Sequence, residues 1–390
     1  MIGFVLLLAL LTAFPPLATD MYLPAIPFLV EDWNSPLSIV NLTLVLFFVT
    51  YCFSLLIYGP LSDRFGRKPP LISGLILFIL ASLLCAFSRD IWMLIGARVL
   101  QGMGAGAASS ISLAMARDRL ESGVRERVLS QVSVIMALAP MISPMIGSII
   151  LEYSSWPWIF ISQGVMGGVA LLGVIMTPES HGGKEAEAPS LHLQRYIQVL
   201  GNYRLMGVIA CNAVIALPLF AFIAGSSSIY ISRFQMSETI FAVFFGANAC
   251  CFMAGSITCM RFGRKIGTLR MITAGYGGIF LGGLLMLSGI FPGPWQFALP
   301  MGLITFSLGL SRPPSNNLAL EQVTENAGTA SSTMVFSYFI CGALAMLAVS
   351  FDWADKIAFT AILAACSGLF SSLLWLALKN HLWLTAVKKQ

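Results

Sequence analysis

Charge is what this chain has least of. Of its 390 residues, 10% are Asp, Glu, Lys or Arg and 57% are hydrophobic, against about 25% charged in an ordinary soluble domain. Histidine is nearly absent: His181, His192 and His381 are the only three. All fall in segments read as cytoplasmic, which excludes a histidine proton relay at membrane depth. The eight cysteines, at 52, 85, 211, 250, 251, 259, 341 and 366, form no Cys-x-x-Cys pair and lie in apolar runs. They read as small packing residues, not as metal ligands or disulfides, and no metal or cofactor is expected. No Gly-x-x-x-x-Gly-Lys-Ser/Thr loop occurs, so ATP is not the energy source. Outer loops are short and no catalytic cluster appears, which argues against a membrane enzyme or a receptor.

What is present is a succession of long apolar runs. About 20 apolar residues cross a bilayer core of about 30 Å. Spans are expected near 2–30, 38–58, 71–88, 91–116, 128–151, 157–177, 205–231, 239–260, 268–291, 295–311, 327–350 and 356–378. The first run is too long for a cleavable signal and lacks a basic leader; with Asp20 and four prolines inside it, it reads as the first helix. With the N-terminus inside, 18 of the 22 Lys and Arg fall on the cytoplasmic side, Arg312 among them; Arg89, Arg233 and Lys356 fall outside and Arg98 within the membrane. Such asymmetry sets orientation, and it accounts for the net charge of +5 without any nucleic-acid partner.

The polar stretch Pro178 to Ser190 divides the chain. Arg64-Phe65-Gly66-Arg67-Lys68 after the second span is repeated by Arg261-Phe262-Gly263-Arg264-Lys265 after the eighth, 197 residues on, with Met260 where Asp63 stands. Two similar halves in parallel orientation are a transporter signature. The fold expected is an all-α membrane protein of twelve transmembrane helices in two pseudo-symmetric six-helix bundles, 1–177 and 205–390, joined by a cytoplasmic linker 178–204, with both termini cytoplasmic.

Asp20 and Arg98 are the lone charges of their spans, and an ionisable group at membrane depth marks a functional site by default. Counted from the outer helix ends near Val30 and Asp90, both lie roughly 12–16 Å deep at 1.5 Å per residue. They are expected to neutralise one another, with Gln101 on the face of Arg98; a purely structural ion pair is the other reading. Proton coupling needs a carboxylate that takes a proton when dehydrated and releases it when a cation approaches. Pro15, Pro16, Pro24 and Pro27 flank Asp20, either bending the helix along a cavity or ending it.

Motifs along the chain carry a resemblance. Tyr58-Gly59-Pro60-Leu61-Ser62-Asp63-Arg64-Phe65-Gly66-Arg67-Lys68-Pro69 resembles the loop 2–3 signature of the major facilitator superfamily. Ala18-Thr19-Asp20-Met21-Tyr22-Leu23-Pro24-Ala25-Ile26-Pro27 resembles the first helix of its twelve-helix drug:proton antiporters of the Bcr/CflA type. Arg98-Val99-Leu100-Gln101-Gly102-Met103-Gly104-Ala105-Gly106 resembles that group's fourth helix, and Ala327-Gly328-Thr329-Ala330-Ser331-Ser332 the start of its eleventh. The fifth-helix motif is partly kept, as Pro140, Pro144 and Gly147, and proline at 157 replaces a basic or polar residue. The resemblance implies that helices one and four line a central cavity.

The Gly59–Lys68 loop reads as a gating latch. Gly59 and Gly66 permit tight turning, Asp63 is placed to accept from a neighbouring helix N-terminus, and Arg64, Arg67 and Lys68 hold acidic partners or lipid phosphates. Gly102, Gly104 and Gly106 read as helix-packing residues, as do Pro140, Pro144 and Gly147 of a bent fifth helix. Candidate substrate-lining residues are Tyr22, Tyr51, Gln101, Asn212, Phe220, Tyr230, Asn248, Phe336 and Tyr338. The function expected is proton-coupled export of small, mostly apolar drugs or toxic compounds by a monomer in a bacterial inner membrane. Its partners are protons, small-molecule substrates and the lipid bilayer. The alternative is a specific carrier of an endogenous metabolite.

Overall fold

The computed structural model describes residues 2–179, 189–323 and 327–387, and every regular element among them is helical. His181, Lys184, Lys388 and Lys389 lie outside the described residues, as do the side chains of His192 and His381. The chain forms two compact units, Met1–Ala186 with Met236–Gly246, and Glu187–Gln235 with Ala247–Gln390.

The first unit runs α1 (Ile2–Asp20), a 3-10 turn (Leu23–Ala25), α2 (Ile26–Asp32), α3 (Leu37–Val40), α4 (Leu42–Phe65), α5 (Lys68–Ala86), α6 (Ile91–Arg119), α7 (Ser122–Tyr153) and α8 (Pro157–Met176). The second runs α9 (Pro189–Gly201), α10 (Tyr203–Val214), α11 (Leu217–Ser227), a π-helical turn (Ser228–Arg233), most of α12 (Glu238–Ile266), α13 (Thr268–Ser288), α14 (Trp295–Glu321), α15 (Ala327–Val349) and α16 (Lys356–Val387). Among the described residues, 10 helical segments are long and apolar enough to cross a membrane. The two expected spans outside that set are helical too. In α7 the apolar part is the shorter Leu138–Tyr153, and α14 carries Arg312 within the run Ser311–Asn317.

Several expectations are corrected here. The first span is not one helix: α1 ends on Asp20 itself, after passing through Pro15 and Pro16, and the chain turns before Pro24 and Pro27 allow a new start. The seventh span is likewise split, at Ile215 and Ala216, with Pro218 opening α11. Residues 189–201 of the expected linker are helical. Arg312 does not sit in a loop; α14 continues through it for nine more residues, because Pro313 and Pro314 leave only two amide donors missing in a packed helix. The repeat is also out of register with the structure. Gly66 ends α4 with φ of 85°, whereas Gly263 stays helical and Gly267, with φ of 91°, ends α12 one turn later. Aligned on these turning glycines, Arg264 rather than Met260 stands at the place of Asp63. Proline at 157 does open its helix, where its missing N–H costs nothing.

Without a hydrophobic drive between helices in lipid, close packing holds a bundle together. Gly102 and Gly106 let α6 lie against α4, where a methyl group would overlap Phe47 O and the Ser54 side chain; Gly104 faces α5, where a Cβ would sit 2.6 Å from Gly74 O. The expected packing role of these glycines is thus met on two faces of one helix. Gly147 of α7 abuts the backbone of Met21, directly after Asp20, so closely that any Cβ would overlap its carbonyl oxygen. Gly147→Ala is therefore expected to cost about 1–3 kcal/mol by overpacking and to lower the melting temperature. Gly168→Ala, where a Cβ meets nothing within 4 Å, should leave it unmoved. Equal melting temperatures for the two variants would refute the contact. In the second unit, Arg233 and Asp355 form a half-exposed ion pair at 2.5 Å, and the guanidinium holds the Asp355 carboxyl below the usual carboxylate range.

Candidate functional site

The break after Asp20 organises the first unit's polar centre. Tyr22 N–H bonds back to Thr19 O, at 3.2 Å, instead of continuing the α-helical ladder. The freed Ala18 carbonyl accepts from Arg98 Nη1 at 3.0 Å and from Gln163 Nε2 at 3.3 Å. Arg98 thus reaches across from α6 to the last turn of α1. Its other bonds go to Thr43 O (Nε, 3.3 Å) and Gln101 Oε1 (Nη1, 2.5 Å). Gln101 in turn donates to Ser82 Oγ and to Gln163 Oε1, both at 2.8 Å.

Arg98 is fully buried in a cage of rings, with its guanidinium carbon 4.4 Å from the Phe47 centroid, 5.3 Å from Tyr22 and 5.8 Å from Phe160. Such stacking contributes about 0.5–2 kcal/mol per favourable ring. Nη2 is buried and has no hydrogen-bond partner among the described residues. Asp20 is 4% exposed, and its one hydrogen-bond partner among the described residues is Thr19 Oγ1, at 2.9 Å. Thr19 Oγ1 also lies 2.9 Å from Pro15 O. The expected Asp20–Arg98 pair is therefore not formed in this structure, because the helix break offers Arg98 a backbone carbonyl two residues earlier. One hydroxyl carries one hydrogen, so Thr19 can donate to Pro15 O or to Asp20, not to both at once.

The latch residues gather around Arg67, which is 7% exposed. Its Nη1 donates to Asp63 Oδ1 at 2.5 Å and to Ser62 Oγ at 2.8 Å, and its Nε to Asp118 Oδ2 at 2.7 Å. Asp63 was expected to cap a neighbouring helix. It bonds to Arg67 one turn on, and the carboxylate over the α5 N-terminus is Glu179, which accepts from Arg67 N and Lys68 N at 3.1 Å each. Glu179 wins because it arrives from the end of α8 in line with the positive end of α5. Lys68 Nζ donates to Ile175 O, and Arg64 lies over the Phe65 ring. Gly59 has only an ordinary contact with Ser110.

The expected lining residues divide. Tyr22 and Gln101 are sealed around Arg98, and Tyr230 is sealed against Phe297. Asn248 is buried and accepts from Thr305 Oγ1 at 2.9 Å; Tyr51 stacks parallel to Phe47, and Phe336 is half-buried on α15. The second unit brings Asn212, Phe220 and Tyr338 into one region. Asn212 Nδ2 donates to Asn316 Oδ1 at 3.1 Å, and Tyr276 OH lies 3.4 Å from Asn212 Oδ1 and 3.1 Å from Ser315 Oγ. One turn before Asn316, Arg312 stacks on Tyr338 at 3.7 Å, and Tyr338 packs against Phe220 with centroids 5.4 Å apart. Sequence reasoning passed over Gln163, Ser82, Asp118 and Glu179; an isolated glutamine within the apolar run Ile159–Met176 was the available signal.

Among the described residues no cluster of His, Cys, Asp and Glu could hold a metal ion. Many apolar spans around a few buried polar centres define the class of multi-pass membrane transporters. The Major Facilitator Superfamily pattern matches residues 8–346. The chain belongs to that superfamily. It is 29% identical over 350 residues to a bicyclomycin resistance protein homolog of Haemophilus influenzae, covering 87% of each chain. It is 26% identical over 375 residues to the multidrug transporter MdfA of Yersinia pestis, covering 93% of this chain and 89% of the relative. In fold it is similar to a D-xylose-proton symporter, with TM-score 0.77, 15% identity and 96% and 97% of the two chains covered.

The cluster around Arg67 carries a prediction. Asp63→Asn leaves Arg67 bonded to Asp118 and Ser62, so folding should change by less than about 1 kcal/mol. Turnover in a transport assay should fall several-fold while substrate affinity stays within about twofold, since a lost state-specific contact shifts populations and not the binding site. Lost affinity at unchanged turnover would assign Asp63 to the substrate site instead.

Proposed function

We propose that this chain exports small, mostly apolar compounds from a bacterial cell across the inner membrane, driven by inward proton flow. In this reading its helices make twelve spans in two six-helix bundles, 1–177 and 205–390, with both termini cytoplasmic and α7 and α14 among the spans. The names of the relatives support a drug or antibiotic as cargo. The observation that carries proton coupling is a carboxylate at a helix break, one residue from a hydroxyl that has two competing acceptors.

The hydrogen-bond inventory gives Asp20 two settings. Protonated, its O–H donates to Thr19 Oγ1, whose own hydrogen goes to Pro15 O. Ionised, it accepts from Thr19, and Pro15 O loses that donor. Nη2 of Arg98, without a hydrogen-bond partner among the described residues, is then a cationic donor for the carboxylate in another conformation of the cycle. Proton arrival and departure thereby change the bonding at the α1 break, which Gly147 of α7 touches. Coupling of this kind works by alternating access, the proton and the cargo biasing one two-state element.

The test is transport in proteoliposomes with an imposed pH gradient and a panel of apolar, cationic and anionic compounds. Several unrelated compounds should move against the proton gradient. Movement of one metabolite alone would favour a specific carrier instead. The directional Asn212–Asn316–Tyr276–Ser315 cluster is the observation on that side.

A further inference from the structure

Among the described residues Arg312 has no counterion. It lies 17 residues from the start of α14 and nine from its end, or about 26 Å and about 14 Å along the axis. With α14 as a span, as proposed above, that is hydrocarbon depth, where an arginine is costly and marks a substrate or ion path. Its one partner among the described residues is the face of Tyr338; no hydrogen bond or ion pair joins it. The second unit's acids are few: Glu187 and Glu325, outside the described residues, and Glu321, Asp352 and Asp355. Glu321 ends the same helix nine residues away, and Asp355 is held by Arg233. Arg312 is half-buried, and a ring face stabilises a guanidinium far less than withdrawing its charge from water costs.

The stack also orients the group. A guanidinium lying on a ring turns its N–H edge outward, and that planar fork matches a carboxylate bidentately. Asn316, one helical turn on, accepts from Asn212 on its Oδ1, and among the described residues its own amide N–H groups have no acceptor. Phe220 and Phe339 flank Tyr338 with centroids 5.4 Å and 5.5 Å away, an apolar wall beside the donors. We propose that Arg312, Tyr338 and Asn316 form an oxyanion subsite that takes the carboxylate of an amphipathic substrate whose apolar body lies on the Phe220–Tyr338–Phe339 rings. The inference rests on the export reading for its cargo, but the subsite is testable by binding alone.

The probes are N-dansylglycine and its uncharged amide, titrated by fluorescence against the purified full-length protein in phosphatidylcholine nanodiscs. The carboxylate should bind about tenfold or more tightly than the amide, the scale of a charge-assisted hydrogen bond. Arg312→Gln should bring the carboxylate down to the level of the amide, and Arg312→Lys should recover part of the difference. Equal binding of the two probes to the unmodified protein would overturn the subsite, with no variant needed. A preference that survives Arg312→Gln would overturn it as well. Displacement of dansylglycine by phosphatidylglycerol added to the nanodiscs would give the site to a lipid headgroup and overturn its assignment to substrate. Ethidium efflux under a pH gradient, measured separately on the unmodified protein, reads the export proposal. Its absence beside an intact carboxylate preference would sink that proposal and leave the subsite standing.

Discussion

Asp20→Asn is expected to reduce proton-driven efflux to the level of empty liposomes while the protein still folds, inserts and binds its cargo. The introduced amide is nearly isosteric and can donate to Thr19 Oγ1, so it mimics the protonated setting permanently. Thr19 keeps its bond to Pro15 O, and Ala18 keeps those from Arg98 and Gln163. Stability should therefore change by less than about 1 kcal/mol. What disappears is the alternation, since an amide neither takes nor releases a proton near neutral pH. Cargo should equilibrate across the membrane without regard to the pH gradient. Full pH-gradient-driven accumulation by the variant would remove Asp20 from the coupling mechanism.

Arg98→Ala should be the most damaging single change in the first unit. It removes the donor to Ala18 O, Thr43 O and Gln101 Oε1 at once. Ala18 O keeps its bond from Gln163, but Gln101 Oε1 loses its donor, at about 1–3 kcal/mol for a buried acceptor left unpaired, and a void opens between Phe47, Tyr22 and Phe160. A marked fall in melting temperature is expected together with loss of transport. Arg98→Lys separates the two roles. Lysine restores the charge, but its three donors on a point-like ammonium cannot span the same acceptors or stack as a plane. The lysine variant should be folded and should transport weakly. Full activity in Arg98→Lys would show that charge alone matters; a folded, fully active Arg98→Ala would show that neither role exists.

The two variants also bear on whether Asp20 and Arg98 meet. Read by downhill equilibration of cargo, which Asp20→Asn retains, the double variant Asp20→Asn, Arg98→Lys should be no slower than Asp20→Asn alone if both residues act in one step. Independent roles would make the losses add.

Much of this protein is legible along the chain because lipid is an exacting solvent. A span must be long and apolar with its backbone bonded internally, so composition and run length alone announce the helices. The same cost makes Asp20 and Arg98 conspicuous, since an isolated charge in such a run has no inexpensive explanation. Gly102, Gly104 and Gly106 were readable as packing residues because backbone contact between lipid-embedded helices requires small side chains.

Partnerships were not legible, because they depend on where helices break and cross. Residue counting led one to expect Arg98 on Asp20, but the break at Tyr22 freed the Ala18 carbonyl, and Arg98 bonds to that instead. Asp63 looked like the helix cap, yet Glu179 reaches the α5 N-terminus because α8 ends beside it. Gln163 gave only the signal of one polar residue in an apolar run, and Arg312 passed as a loop residue because the expected span 295–311 stops just before it. The sequence by itself determined the all-helical membrane class, the lone charges Asp20 and Arg98 and the superfamily, since each follows from composition and motifs along the chain. Only the tertiary structure decided which carbonyl, carboxylate or ring each charge meets, because that choice is made between segments up to 122 residues apart, where no local pattern reaches.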